Sequence, residues 1–544
     1  MRKDDFADFA DVVIMGGGLA GLTLSLQLKQ RMPELNITVI ERRSHPVPNA
    51  AHKVGESSVE IGAHYFDKIL GLKEHLDMAQ LKKFGFRFFF SDGRRDIDNV
   101  TELGASKVLP TPSYQLDRGI FENELAALAV QKGIQFYDNA VIRSFTLAEK
   151  GSTHTINFES SGQTQSLKST WLCDASGRAG LIKRKLDLSE SNEHDANAIW
   201  FRMASRIDIN DWSANDDWLD RCTPRNRWLS TNHLVGEGYW AWLIPLSSGS
   251  HSVGVVADAK LHPISQMNTF DKAMTWLQTH QPKLFDALDT QREKLQDFAF
   301  FKRFSYGCKK VFSGTGRWAL TGEAGLFLDP FYSPGSDFIA ISNTYITELI
   351  EIDRRGGATS LTADIYEQIY FSLYQNMLTL YTDQYKIFGD PEVLPVKVIW
   401  DYAYYWGVMC QLFFQNKLID ISCMARMKNK LAAIQEINRE MQLFLRAWNL
   451  VSVKRNLPHM LDQASLPWFA ALNKELRDEL TDVQFAERID KQLLQLNELA
   501  AEIVITVQRD YPQVDARALI SHIKPEVYFR ASSEQAQYLF PMAE

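Results

Sequence analysis

The chain has 544 residues, of which 45% are hydrophobic, and a formal net charge of −8. That length buries a large core and predicts two or three lobes, and the mild acidity, with no basic stripe or arginine- and lysine-rich helix, excludes nucleic acid as an expected partner. Cys173, Cys222, Cys308, Cys410 and Cys423 form neither a C-x-x-C pair nor a metal-ligand spacing, so no metal is expected and the thiols read as reduced and buried in a cytoplasmic protein.

The first residues set Arg2 and Lys3 among Asp4, Asp5, Asp8 and Asp11, which is not the composition of a secretory leader. From Asp11 a β-branched run opens straight into Gly16-Gly17-Gly18-Leu19-Ala20-Gly21 and a helical run, Leu22 to Lys29. This is the strand–turn–helix setting in which Gly-x-Gly-x-x-Gly is informative: the glycines admit a pyrophosphate, and the helix start offers it N–H groups and the positive end of a dipole. About twenty residues on, Ile37 to Glu41 reads as the second strand, ending in a carboxylate placed for ribose hydroxyls.

A loop rich in breakers runs from Arg42 to Lys53-Val54-Gly55-Glu56-Ser57-Ser58, and a helix follows over Val59 to Leu70. Lys82 to Phe90 reads as one strand, aromatic on both faces, that lies deep or lines a cavity. Tyr114 to Arg118 leads into a helix over Gly119 to Gln131, and Gly133 to Phe136 returns as a strand, completing a crossover unit. Ala140 to Leu147 and Thr153 to Phe158 read as an inserted hairpin, and Trp171 to Gly177 as a strand ending in Asp174, a carboxylate suited to a cofactor hydroxyl.

Between Ala196 and Phe304 the pattern turns to β-runs (Trp200 to Ile207, Gly238 to Leu246, His251 to Val256, Phe298 to Phe304) around one helix, Asn268 to Leu288. Arg317 to Ala324 is again a strand ending in small residues, and a helix begins near Gly335, its N-terminus suited to an anion or a flavin edge. From Ile339 onward the pattern is almost wholly helical. The apolar stretch Val398 to Phe414 carries Asp401 and many rings, so it reads as a buried helix and no membrane contact is expected. The expected division is therefore 1–195 and 305–355 as a cofactor-binding domain, 196–304 as a β-sheet substrate lobe and 356–544 as a helical region.

Two further motifs sharpen this. Trp240-Ala-Trp242-Leu-Ile244-Pro245 is W-x-W-x-I-P, and Phe327-Leu-Asp-Pro330-Phe-Tyr-Ser333-Pro-Gly335 is F-x-x-P-x-x-S-x-G. With the glycine motif they resemble the signature set of the flavin-dependent halogenases. The resemblance implies an α/β fold with a Rossmann-like FAD-binding domain of the aromatic-hydroxylase type. It implies a cytoplasmic oxidoreductase of secondary-metabolite biosynthesis that uses FAD as FADH2, delivered by a separate NAD(P)H-dependent flavin reductase, with chloride or bromide as co-substrate. Hypohalous acid made at the flavin would pass through a tunnel, lined by Trp240, Trp242, Ile244 and Pro245, to a lysine that presents it to an electron-rich ring, free or tethered to an acyl or peptidyl carrier protein. A lysine suits this because a desolvated amine is nucleophilic and donates hydrogen bonds.

By the same resemblance the lysine is Lys83, from K-x-G-x-x-F in Lys83-Phe84-Gly85-Phe86-Arg87-Phe88, with Lys82 as the alternative. Gly16, Gly18, Leu19, Ala20, Gly21, Glu41, Arg42 and Arg43 would hold the adenosine half. Glu56, Ser57, Arg118, Asp174, Glu323, Pro330 and Gly335 would line the rest of the cofactor, and Ser333, Pro334 and Gly335 the halide.

Two departures stand out. Tyr332, a further candidate catalytic residue, occupies the place of the glutamate that tryptophan halogenases carry before the serine, so a phenol or pyrrole, activated by its own O–H or N–H, fits better than an indole. Pro334 has no N–H for a halide, which leaves the Gly335 N–H, the Ser333 hydroxyl and the helix N-terminus; Asp337 would oppose an anion there unless it points away. A flavin monooxygenase or oxidase of the same fold that has lost halide use is the alternative function.

Overall fold

The computed structural model describes residues 8–49, 55–149, 152–532 and 538–539; Lys53 and Val54, at the end of the breaker-rich loop, lie outside the described residues. The chain forms two compact units: Met1–Gln80, Leu116–Glu193 and Ser305–Gln375 in the first, and Leu81–Gln115, His194–Phe304 and Asn376–Glu544 in the second. The division differs from the expected one in that Leu81–Gln115 joins the β-sheet lobe, and the helices beyond Asn376 belong to that same unit.

The first unit is built on an eight-stranded sheet in the order Phe312–Ser313, Trp318–Leu320, Gln163–Asp174, Phe9–Met15, Ile37–Ile40, Gln135–Tyr137, with the hairpin of Ala140–Thr146 and His154–Ser160 attached to the start of Gln163–Asp174. Neighbours from Trp318–Leu320 to Gln135–Tyr137 run parallel. Parallel strands are covered on both faces, and Val12, Val13, Ile14 and Met15 are fully buried. The helices Leu19–Arg31, Arg118–Gln131 and Gly335–Arg354 pack on it, the first touching both others. The expected helix over Val59 to Leu70 is present as Glu60–His64 followed by a π-helical turn, Tyr65–Ile69.

The second unit carries an eight-stranded sheet ordered Leu295–Phe301, Ala196–Met203, His251–Asp258, Tyr239–Pro245, Thr231–Gly236, Phe86–Phe89, Glu102–Gly104, Met460–Asp462. One face is buried by the helices Phe270–His280 and Pro282–Asp289, through a core that includes Phe89, Phe201, Leu234, Leu243, Val255, Met274, Leu277 and Leu288. The expected single helix from Asn268 to Leu288 is split because Pro282 supplies no N–H to a preceding turn and instead starts a new helix.

The expected strand Lys82 to Phe90 is also interrupted. Leu81–Lys82 pairs with Tyr114–Gln115, whereas Phe86–Phe89 pairs with Thr231–Gly236 in parallel. Between them the Lys83 N–H reaches the Ser113 carbonyl at 2.9 Å, the Phe84 N–H reaches the Leu229 carbonyl at 3.0 Å, and Gly85 sits at φ +74°. The chain thus changes sheets across Lys83-Phe84-Gly85. The C-terminal part is helical as expected, except that Met460–Asp462 adds a parallel strand to Glu102–Gly104. No helix among the described residues is long and apolar enough to cross a membrane, and all five cysteines are buried thiols.

Candidate active site

The sequence-predicted residues divide between the units, the cofactor and halide groups on the first and the lysine and tryptophans on the second. At the glycine turn each glycine has its own reason. Gly16 stands at φ +115°, where a Cβ would meet the Ala175 carbonyl at 2.3 Å, and a Cβ on Gly21 would lie 1.9 Å from the Gly16 carbonyl. Gly18 faces open space, with nothing within 4 Å of where its Cβ would be. The first and third glycines therefore fix the turn and the helix contact, and the second leaves the approach a pyrophosphate needs. Leu19 and Ala20 form the first turn of the helix. Glu41 Oε2 accepts the Gly17 N–H at 2.6 Å and its Oε1 accepts the Arg43 N–H at 2.7 Å, so the carboxylate is drawn to the glycine loop. The Arg42 and Arg43 side chains are exposed beside it.

Farther along the same unit, Arg118 opens its helix, donates to Glu122 at 2.5 Å and to the Gly55 carbonyl at 3.3 Å. Burial lowers its pKa to about 10 against the attraction of Glu56 and Glu323, with Arg43 adding repulsion. Four of the expected cofactor residues thus share one electrostatic neighbourhood. Glu56 and Ser57 are buried at its edge, and Glu323 pairs with Arg178 at 3.0 Å. Asp174 is tied to its own loop. Its Oδ1 accepts the Ser176 N–H and hydroxyl at 3.0 and 2.6 Å, and its Oδ2 accepts the Ile182 N–H at 2.7 Å. Burial raises its pKa against these bonds, and it shapes the loop from beneath.

The second signature motif forms the turn before the helix Gly335–Arg354. The Ser333 N–H donates to the Pro330 carbonyl at 2.9 Å, and Ser333 adopts φ +55°. The Pro334 carbonyl accepts the Asp337 and Phe338 N–H groups at 3.1 Å each, which leaves Gly335, exposed, as the first N–H donor of the helix. Asp337 is turned away, its Oδ1 accepting the Gly62 N–H at 2.8 Å in the short helix Glu60–His64. Tyr332 is buried, its ring 4.7 Å from that of Phe331.

On the second unit the two candidate lysines separate. Lys82 is exposed on its short strand; Lys83 is only 4% exposed, and its Nζ stands 3.4 Å from the centroid of the Phe86 ring. Cross-strand register places Phe86 opposite Thr231, Phe88 opposite His233, His233 opposite Trp242, and Trp242 opposite Gly254. Alternation puts Phe86, Phe88, His233, Trp240 and Trp242 on one face, opposite the helix-covered core. Trp240 Nε1 donates to the Tyr385 hydroxyl at 3.2 Å, and Trp242 Nε1 to the Ser252 hydroxyl at 3.1 Å. Gly254 makes room for the second indole, since a Cβ there would lie 2.2 Å from it. Ile244 and Pro245 continue the strand, both buried. The Tyr402 ring reaches within 6.1 Å of Phe86 and is backed by Trp406 and Phe469.

The FAD binding domain family matches residues 9–296, more than half the chain. Among curated relatives, a flavin-dependent halogenase, chlA, of Dictyostelium discoideum is 26% identical over 79% of this chain and 76% of its own length. A 1H-pyrrole-2-carbonyl-(peptidyl-carrier protein) chlorinase of Pseudomonas fluorescens is 24% identical over 69% of this chain and 84% of its own. The chain belongs to the flavin-dependent halogenase family. The solved structure of the halogenase PltM has the same fold, with a TM-score of 0.63 at 17% identity over 96% of this chain and 98% of that one. FAD is accordingly the cofactor of this halogenase, and the open glycine cradle and the Arg118 neighbourhood fit it.

Sequence reasoning missed His233, Tyr385 and Tyr402 in the halogenase's lysine-bearing unit. Thr231–Gly236 opens with three polar residues and is buried throughout, so it carried no alternation to mark His233, and Tyr385 and Tyr402 lie far away in sequence. Outside the site, Glu436, Glu440 and His522 bring possible ligand atoms within 4.8 Å of one another, but Arg439 already pairs with both carboxylates.

Proposed function

We propose that this halogenase installs chloride or bromide on a phenol or pyrrole ring, free or carrier-tethered, with Lys83 presenting the oxidised halogen. The observation that carries the reading is the burial of Lys83 against Phe86 while Lys82 lies in solvent. Reduced FAD, supplied by a separate flavin reductase, provides the electrons for dioxygen to oxidise a halide to hypohalous acid. Gly16, Gly18, Gly21 and Glu41 hold its adenosine half, and Arg118, Glu56 and Glu323 surround the remainder. The halide takes the Gly335 N–H and the Ser333 hydroxyl at the N-terminus of a 20-residue helix, where the dipole favours an anion and the Asp337 carboxylate is committed to Gly62.

In this reading the Lys83 amine, once it has given up a proton, either hydrogen-bonds hypohalous acid or condenses with it, forming an N–halogen bond and releasing water. The ring's π electrons then take the halogen, the N–halogen pair returns to the amine, and the ring loses its proton. Tyr332 leaves no carboxylate where tryptophan halogenases hold their base, so a substrate activated by its own O–H or N–H is favoured. Trp240 and Trp242 wall the approach to Lys83 within the second unit. The test is mass spectrometry of protein, FAD, a flavin reductase, NADH and air with bromide or chloride and a panel of phenols, pyrroles and pyrrolyl-loaded carrier protein. A halide-dependent isotope doublet is expected on one of them; an oxygenated product formed equally without halide would overturn the reading in favour of a monooxygenase.

A further inference from the structure

Beside Lys83 lies a residue with no assigned role. His233 is 1% exposed on the strand Thr231–Gly236. Its ring stacks on Phe88 at 4.7 Å and 15°, meets Phe86 edge-on at 5.4 Å and lies 5.4 Å from Trp240. Its Nδ1 lies 3.3 Å from the Arg87 carbonyl. A carbonyl only accepts, so Nδ1 carries the proton and the ring is held in one tautomer and one orientation. Burial first, and then the charge of Lys83, lower its pKa to about 3, so it is neutral at physiological pH. Of the charged groups around it, Lys83 shares its face, whereas the Arg87 guanidinium is on the opposite face, paired with Glu102. Tyr385 and Tyr402 are the titratable groups that pack next to its partners Trp240 and Phe86.

We propose that His233 is a positioning residue for Lys83: an uncharged, hydrogen-bonded ring that braces Phe86, on whose face the Lys83 amine rests, and so fixes where that amine stands. The inference rests on the role given to Lys83 above. An imidazole does this better than an aliphatic side chain because a flat ring fills the gap between Phe86, Phe88 and Trp240, and its N–H locks it to the strand. Displacing a reacting group by about 1 Å costs on the order of a hundredfold, so a loosened Phe86 is expected to show in transfer from Lys83 and not in flavin chemistry.

The test compares His233→Leu, which fills the volume without a flat ring, with His233→Phe, which restores the ring without the hydrogen bond. The readouts are halogenated product per FADH2 oxidised, free hypohalous acid caught by an added trap, and FAD affinity. His233→Leu is expected to lower product per FADH2 at least about tenfold and raise trapped oxidant by the same share, with FAD affinity unchanged, and His233→Phe to recover most of the loss. Wild-type coupling in His233→Leu, or a His233→Phe protein that folds and couples no better than His233→Leu, overturns the proposal. Lys83→Ala run alongside separates the two failures: if it couples normally the role of Lys83 falls, and if it alone loses coupling only the bracing falls.

Discussion

Glu102→Gln tests how the lysine-bearing face is anchored. Glu102, Arg87 and Arg227 are all fully buried. Arg227 Nε donates to Glu102 Oε1 at 2.8 Å and its Nη2 to Oε2 at 3.2 Å, and Arg87 donates to Oε1 from the other side. The two arginines also reach the carbonyls of Ala105 at 2.5 Å and Trp218 at 2.7 Å, so one carboxylate joins the strands Phe86–Phe89 and Glu102–Gly104 to the segment 218–227. Glutamine keeps the shape but leaves two buried guanidiniums with no counter-charge, a loss of about 3–5 kcal/mol. Set against a total stability of about 5–15 kcal/mol, that is a large fraction. Urea unfolding followed by tryptophan fluorescence reads it, with Trp218 lying 4.2 Å beneath the Arg227 guanidinium as a local reporter. A loss smaller than about 1 kcal/mol would refute the reasoning, since the backbone carbonyls alone would then satisfy both arginines.

Two glycines of the cofactor turn should separate stability from binding. Gly21→Ala forces the helix off the Gly16 carbonyl and is expected to lower both thermal stability and FAD affinity, whereas Gly18→Ala, with open space at its Cβ, should change stability by less than about 0.5 kcal/mol yet weaken FAD at least about tenfold by fluorescence titration. Gly254→Ala drives a methyl into the rigid Trp242 indole and is expected to cost about 1–3 kcal/mol in denaturant unfolding. His233 and His251 are each held at about 3 by burial, below the unfolded value of 6.5. Their contribution is present above pH 6.5 and is lost as the pH falls toward 3. Between pH 6 and 4 each therefore steepens the loss by about 1.4 kcal/mol per pH unit, and His251→Gln should remove one such slope in urea titrations across that range.

The cofactor end was legible in the sequence because its logic is contiguous: strand, glycine turn, helix and carboxylate lie within Phe9 to Glu41, and each glycine's reason is local. The lysine read as Lys83 with Lys82 as the alternative, and the two differ in burial, Lys83 being buried and Lys82 exposed. What the sequence hid was long-range. Leu81–Gln115 belongs with the second sheet because Phe86–Phe89 pairs with Thr231–Gly236, about 145 residues away. Pro282 marks a break that the single helix read over 268–288 passed through, since proline favours the first helical position. Asp174 read as a cofactor-facing carboxylate and Asp337 as one that would oppose an anion unless turned away; both accept backbone N–H groups, a demand invisible until the loops are folded.

The most direct test of the account compares wild type, Lys83→Ala and Lys82→Ala for halogenated product and for FADH2 oxidation under identical halide, oxygen and reductase. The account predicts that Lys83→Ala loses product at least about a hundredfold while still oxidising FADH2, and that Lys82→Ala, whose side chain lies in solvent, stays within about twofold of wild type. Full halogenation by Lys83→Ala, or its loss in Lys82→Ala alone, would contradict it.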